Sequence, residues 1–493
     1  MREGLRYEFP PPEHKHVLGP FTAGQLVIVL LVALLGVFGI ARPNPTVPGI
    51  ALAAGLLVAV GVPVLVPWRG RVVTEWAPIA LGYAAARLSG RADFRSAAPR
   101  RGTAGAGRLA LPPEVGDLEF LTHPHNGGLL GVAVDRRTGV YTGVLEVQAP
   151  SFLLEDTPRQ EELLARWGGV LTRLANAGTE IHRLQWVVRT VPDDGNGIRA
   201  YLQRACARDL DQASAVIRSY LELVRLSGPA ASEHTTLLVV QLASRTAARA
   251  IRAAGGGDHG ACAALAQAME QLAEGLDGLD VAVRRFLGVR QYQGLVRTAF
   301  DPEALADLNL LASLHPEREW GSDAPWPYAT EERWGYYRTA DRAWHRSFDL
   351  VLPMTDVPAD WFVPMLLEGD VTRTVSMTLK GVPRQQATRE VRRALTHLQA
   401  EEERKRKLGQ LHTAEDDKRQ TAAERRMREL ADGHAVLVCA VTVTVTAPDL
   451  AALDRACRSL DGVAGLSYCE LRLLEGQQAA GFTWTLPLAR GLE

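Results

Sequence analysis

Reactive side chains are plentiful in this chain, but none stands at a spacing that a common catalytic signature requires. His123-Pro124-His125 and His14-Lys15-His16 each bring two imidazoles together, which is how a metal site could begin. Neither pair is followed by further Cys, His or Asp at ligand spacing, so packing or surface histidines are the better reading. No lysine follows a glycine anywhere in the 493 residues, which excludes the phosphate-cradling loop GxxxxGK[ST]. HExxH and GxSxG are missing as well. The five cysteines (Cys206, Cys262, Cys439, Cys457, Cys469) are odd in number and free of any CxxC. That argues against a disulfide framework and a zinc cluster, and suits a reducing compartment. The expectation is a chain that is not an enzyme, with no catalytic, cofactor-binding or metal-ligating residue.

Two clusters suggest binding instead. The run Arg404-Lys405-Arg406-Lys407 could attract a polyanion, but Glu401, Glu402 and Glu403 precede it directly. A solvated, self-paired helix face is the expected account. With a net charge of −1, no direct nucleic-acid binding is expected. Aromatics crowd residues 319–361, where Trp326, Trp334, Tyr336 and Tyr337 could form a partner surface. They could equally staple an irregular loop onto the core, and the staple is favoured.

The elements that would position such residues start with two uncharged apolar runs, 21–40 and 49–67. Each is near the length a helix needs to cross about 30 Å of hydrocarbon. A transmembrane hairpin over 21–68 is therefore expected, after an N-terminal segment 1–20. Basic residues flank it on both outer sides, which predicts cytoplasmic termini at the cell (inner) membrane. A basic helix and linker should follow over 69–108, with Trp68, Arg69, Arg71 and Trp76 at the membrane interface.

The body then reads as α+β. Strands over 131–135 and 140–147 flank a five-residue loop ending in Gly139, a bulged hairpin. A helix begins at Thr157, where Pro158 and Gln160 suggest a capping box. Residues 181–191 read as a strand with Leu184, Trp186 and Val188 on one face. Further helices are expected over 198–226, 260–287 and 305–313, and strands over 234–242, 347–352 and 372–379. This gives a cytosolic domain over 109–380 built on ferredoxin-like β-β-α-β units. A charged helical pair should occupy 381–432, interrupted near Gly409. A C-terminal β-α-β unit over 433–493 should complete the domain, with a strand over 436–446, a capped helix from Asp449 and a strand over 466–474.

Several stretches carry a resemblance. GGLLGVAVDRRTGVYTGVLEVQAPSFLLED, RQEELLARWGGVLTRLANAG and RLQWVVRTVPDD resemble the non-catalytic N-terminal domain of TraC-type conjugation (type IV secretion) ATPases. WHRSFDLVLPM, REVRRAL, RRMRELADGHA and QAAGFTWTLPL are similar to that domain's second half. The apolar hairpin resembles the PrgI-type inner-membrane subunit. Leu352-Pro353 departs from the Trp-Pro expected in relatives. The resemblance implies an actinobacterial type IV-like membrane scaffold without a motor domain. Its implied partners are the membrane, a separately encoded secretion ATPase and other channel subunits, in an oligomeric complex. One alternative is the EccE-type subunit of a type VII machine, which also begins with two membrane helices and a basic stretch like Arg69-Gly70-Arg71; a less favoured one is a membrane-bound enzyme with an unrecognised site.

Overall fold

A computed structural model describes residues 6–7, 23–42, 46–65, 71–96, 111–149, 152–175, 180–192, 215–227, 232–304, 308, 325–339, 342–352, 357–358, 360–367, 371–407 and 414–492. It divides into two compact units, one over Pro10–Ala92 and one holding Met1–Phe9 and Asp93–Glu493.

In the smaller unit, α1 (Ala23–Leu34) passes into a π-helical segment, Leu35–Ala41, followed by α2 (Val47–Leu65) and α3 (Val73–Leu88). The transmembrane hairpin expected over 21–68 is corrected here: among the described residues no helix is long and apolar enough to cross a membrane. The first apolar run yields only 12 α-helical residues. At 1.5 Å per residue these reach about 18 Å, against about 30 Å of hydrocarbon. Its continuation loosens into the wider π turn, closed where the Arg42 N–H donates to Val37 O at 2.8 Å. In α2, Pro63 has no backbone N–H to donate to the helix ladder.

The larger unit opens with β1 (Arg6–Tyr7) and β2 (Asp93–Arg95). A meander follows: β3 (Leu118–His125), β4 (Gly128–Asp135) and β5 (Val140–Gln148). Gly139 takes φ +67 and donates its N–H to Asp135 O, which closes the β4–β5 turn as expected. Then come α4 (Thr157–Ala175), β6 (Ile181–Pro192), α5 (Ala215–Ser227) and β7 (Ser232–Ala243). The cap of α4 is Asp156, one residue before the one expected: its Oδ1 accepts from the Arg159 N–H at 3.1 Å. Next are α6 (Ala248–Ala253), α7 (Gly257–Asp277), β8 (Ala282–Phe286) and α8 (Val289–Phe300). The single helix expected over 260–287 is thus two elements. Asp280 at φ +58 ends the helical course, and the chain then pairs along β5. Most of the helix expected over 198–226 and of that over 305–313 lies outside the described residues.

The second half comprises β9 (Ala329–Arg333), β10 (Tyr336–Thr339), β11 (Ala343–Val351), β12 (Val357–Pro358), α9 (Val363–Leu367) and β13 (Arg373–Val382). It continues with α10 (Arg384–Lys407), α11 (Ala414–Ala431), β14 (Val436–Ala447), α12 (Leu450–Leu466), β15 (Glu470–Leu473) and α13 (Gln478–Thr485). β12 pairs with β1, and the remaining strands form a 13-stranded sheet.

The strand order exposes an internal repeat. From one edge to the centre the order is β3-β4-β5-β7-β6; from the other, inside the short edge strand β2, it is β9-β10-β11-β14-β13. The halves meet at β6–β13, antiparallel, with Trp186 opposite Met377. β8 flanks β5 as β15 flanks β11, and α8 and α13 follow at matching places. This unit is larger than the β-β-α-β element expected from sequence. Alternation splits the sheet's residues between two layers. Leu184, Leu238 and Val240 meet α4 and α7, while Val375, Val441 and Val443 meet α12. Trp186 and Met377 pack against both groups, so the two lie on one face. On the other face Val144, Val187 and Val239 meet α8 and α13.

Gly131 shows how tight that second layer is. A Cβ there would lie 2.5 Å from the Val289 nitrogen and 2.6 Å from the Gly288 carbonyl carbon, both backbone. Because backbone cannot rotate away, Gly131→Ala is expected to cost about 2 kcal/mol. A urea midpoint unchanged from the parent would refute this.

Candidate functional site

The sheet face beneath α13 is buried yet polar, and its side chains hold the last residues of the chain. Gln185, fully buried on β6, donates from Nε2 to Ser376 Oγ (2.8 Å), Trp484 O (2.9 Å) and Leu486 O (3.0 Å). Its Oε1 accepts from the Ala489 N–H at 2.8 Å. Gln241 on β7 donates to Leu488 O, Thr378 to Arg490 O, and Arg183 to Ala489 O and Leu492 O. In return, Arg490 donates to the carbonyls of Glu114 and Val115. Among the described residues the tail after α13 pairs with no strand, and side-chain amides and hydroxyls satisfy its backbone. Sequence reading missed these residues. The available signal was a glutamine inside each of two otherwise apolar strands, RLQWVV and LVVQLA.

Aromatic rings continue this face across the repeat junction. The Phe482 ring packs in tilted contacts, its centroid 4.8 Å from that of Phe300, 5.4 Å from Tyr337 and 4.5 Å from His345. His345 exchanges hydrogen bonds with Thr339 (2.7 Å) and Thr446 (2.9 Å), and burial holds its pKa down to about 3. It is therefore a neutral core residue at physiological pH. Glu332 accepts from the Ala479 N–H at the start of α13. Burial pushes its pKa up to about 7, the Ala479 donor opposes this, and the nearby Glu114 carboxyl adds to it.

Two of the four aromatics proposed as a partner surface are core residues: Trp326 is 5% exposed and Tyr337 1%. Tyr336 is half-buried against Trp344 at 4.9 Å, and Trp334 is half-buried in the β9–β10 turn. Among the residues proposed for a membrane interface, Trp68 and Arg69 lie outside the described residues. The Arg71 guanidinium sits 5.8 Å over the Trp76 ring, and Trp76 is buried.

His123 lies 5.4 Å from His259, while His125 packs on Phe286 and reaches Glu270 at 3.7 Å. Burial, then His259 and His125, lower the His123 pKa. Among the described residues no three His, Cys, Asp or Glu could hold a metal ion. Arg189, Thr298, Thr374, Thr444 and Thr485 line a small cavity of about 20 Å³. That admits a water or two rather than an organic substrate.

The most exposed candidate is the helical pair. α10 and α11 run antiparallel from the β13–β14 strand ends. Arg384 donates to Leu430 O at one end, and Lys405 pairs with Asp416 at 2.8 Å at the other. Val382, Ala387, Val391 and Leu430 form a small core at its base. Gly433 at φ +97 ends α11. The expected self-pairing of the basic run is only partial. Lys405 reaches Glu401 and Asp416, whereas Arg404, Arg406 and Lys407 make no ion pair among the described residues.

Residues 230–350, from the start of β7 almost to the end of β11, match a family model described as "EccE: Putative type VII ESX secretion system translocon, EccE". The matched span crosses the junction between the two repeats. No curated protein matches the chain. The match supports a secretion-system subunit belonging to a complex with other subunits. It does not support the type IV, TraC-like resemblance and favours the EccE-like alternative.

Proposed function

Taking similarity to EccE over residues 230–350 as premise, we propose that this chain is a non-catalytic structural subunit of a type VII-like secretion machine. We place it at the inner face of the cell membrane, in contact with other subunits that include a separately encoded ATPase. The observation that carries the reading is the EccE match at the repeat junction, where the aromatic and polar contacts of the second layer meet. A two-repeat sheet with an exposed helical pair suits positioning partners better than turning over a substrate. Interfaces of this kind use exposed helix faces and strand edges. The test is affinity purification of the tagged full-length chain from its own host, with cross-linking mass spectrometry. Other secretion subunits should be recovered in stoichiometric amount, and the purified chain should not hydrolyse ATP. Recovery of the chain alone, or intrinsic ATP turnover, would overturn the proposal.

A further inference from the structure

The outward side of α10 is a basic stripe. With 100° per residue, Arg389, Arg392, Arg393, Thr396, Ala400, Glu403, Arg404 and Lys407 share the side opposite Ala387, Val391 and Leu398, and all eight are exposed. It extends about 27 Å and carries five cations against one acid. None of those five makes an ion pair or side-chain hydrogen bond among the described residues.

The helix itself gives no reason for them. Arg404 and Lys407 suit a helix C-terminus, but Arg389, Arg392 and Arg393 lie in the first half, where the macrodipole offers cations nothing. Arg389 faces Arg392 and Arg393 at i+3 and i+4, so like charges oppose each other within the helix. The outward side of α11 differs: Asp417, Glu424, Arg425 and Arg428 balance in sign.

We propose that this stripe docks an acidic helix or segment of a partner protein. Charge complementarity selects the occupant. A second copy would bring five cations against five. A bilayer would find only Ala400 as an apolar side chain on the stripe, a methyl group too small to anchor a helix. An extended nucleic acid would also meet the rest of the chain: α10 and α11 hold thirteen basic and nine acidic residues, whereas the whole chain is at −1. The remainder is therefore acidic. The stripe also carries no aromatic ring for base stacking. The inference does not depend on which machine the chain serves.

The test uses the full-length chain and three probes: a fluorescein-labelled alanine–glutamate helical peptide, a 20-base-pair DNA duplex, and phosphatidylglycerol-containing vesicles. The peptide should bind most tightly, weakening at least tenfold between 50 and 300 mM NaCl. R389E/R392E/R393E should weaken peptide binding at least tenfold. R245E/R249E/R252E, which makes the same charge change at exposed positions on and just before α6, should change it less than twofold. If the first variant unfolds, R389Q/R392Q/R393Q replaces it. Equal loss in both triple variants, or tighter binding of duplex or vesicles, would overturn the proposal.

Discussion

Gln185→Leu is expected to destabilise the fold by about 4 kcal/mol and to release the C-terminal tail. Leucine matches the side chain in size, but it can neither donate to Trp484 O and Leu486 O nor accept from the Ala489 N–H. Each lost bond contributes about 1 kcal/mol net, and buried groups left without partners raise the total by roughly 1–3 kcal/mol. Ser376 still donates to Trp484 O at 3.0 Å, which limits the loss. Two readouts separate tail release from general weakening. Urea unfolding should move to a lower midpoint, and limited proteolysis should remove residues after α13 before any other cleavage. A variant with the parent's midpoint and protected tail would show that the polar face does not hold the terminus.

The second large effect is a pH dependence that Glu332→Gln should abolish. The Glu332 pKa rises from 4.5 to about 7 in the fold, chiefly through burial. A raised carboxyl pKa means the folded state holds its proton more tightly than the unfolded state. The stabilisation is therefore complete below about pH 4.5 and is lost as pH rises through about 7. At about 1.4 kcal/mol per pKa unit the loss approaches roughly 3 kcal/mol by pH 8. Glutamine keeps an acceptor for the Ala479 N–H and never ionises. E332Q should therefore be more stable than the parent at pH 8 by about 2–3 kcal/mol and nearly equal to it at pH 5. His345 works in the opposite sense. Its pKa falls from 6.5 to about 3, so its contribution is present above 6.5 and is lost as pH falls towards 3. That acid limb should persist in E332Q. Identical alkaline limbs in the two proteins, measured by urea titration at pH 5, 6.5 and 8, would exclude the carboxyl as their cause.

Local signals carried most individual elements. Gly139 ends a loop that only a left-handed residue closes without strain, so the β4–β5 hairpin was readable. Asp449 caps α12 by accepting from the Ala452 N–H at 2.7 Å, and the sequence places the start of that helix there. The Val-Thr alternation of β14 announces a strand with two different faces, although not what its threonines would meet. The charged pair α10–α11 was also visible, because few apolar residues and many alternating charges can only make a solvated helix face. Two readings failed where composition stood in for context. Apolar content over 21–68 suggested spanning helices, whereas the backbone shortens α1 with a π segment. Residues 282–286 continued a helical pattern on paper, but the open flank of β5 draws them into the sheet.

The chain by itself determined where hairpins turn, where several helices start, and that the usual catalytic signatures are missing, because these depend on residues within a few positions of one another. Tertiary structure alone decided the order of the 13 strands, the doubling of one layout about β6–β13, and the burial of the terminus beneath glutamines hundreds of residues away. Such pairings join distant segments through backbone hydrogen bonds that are nearly independent of side-chain identity. Local patterning therefore cannot rank one strand neighbour above another.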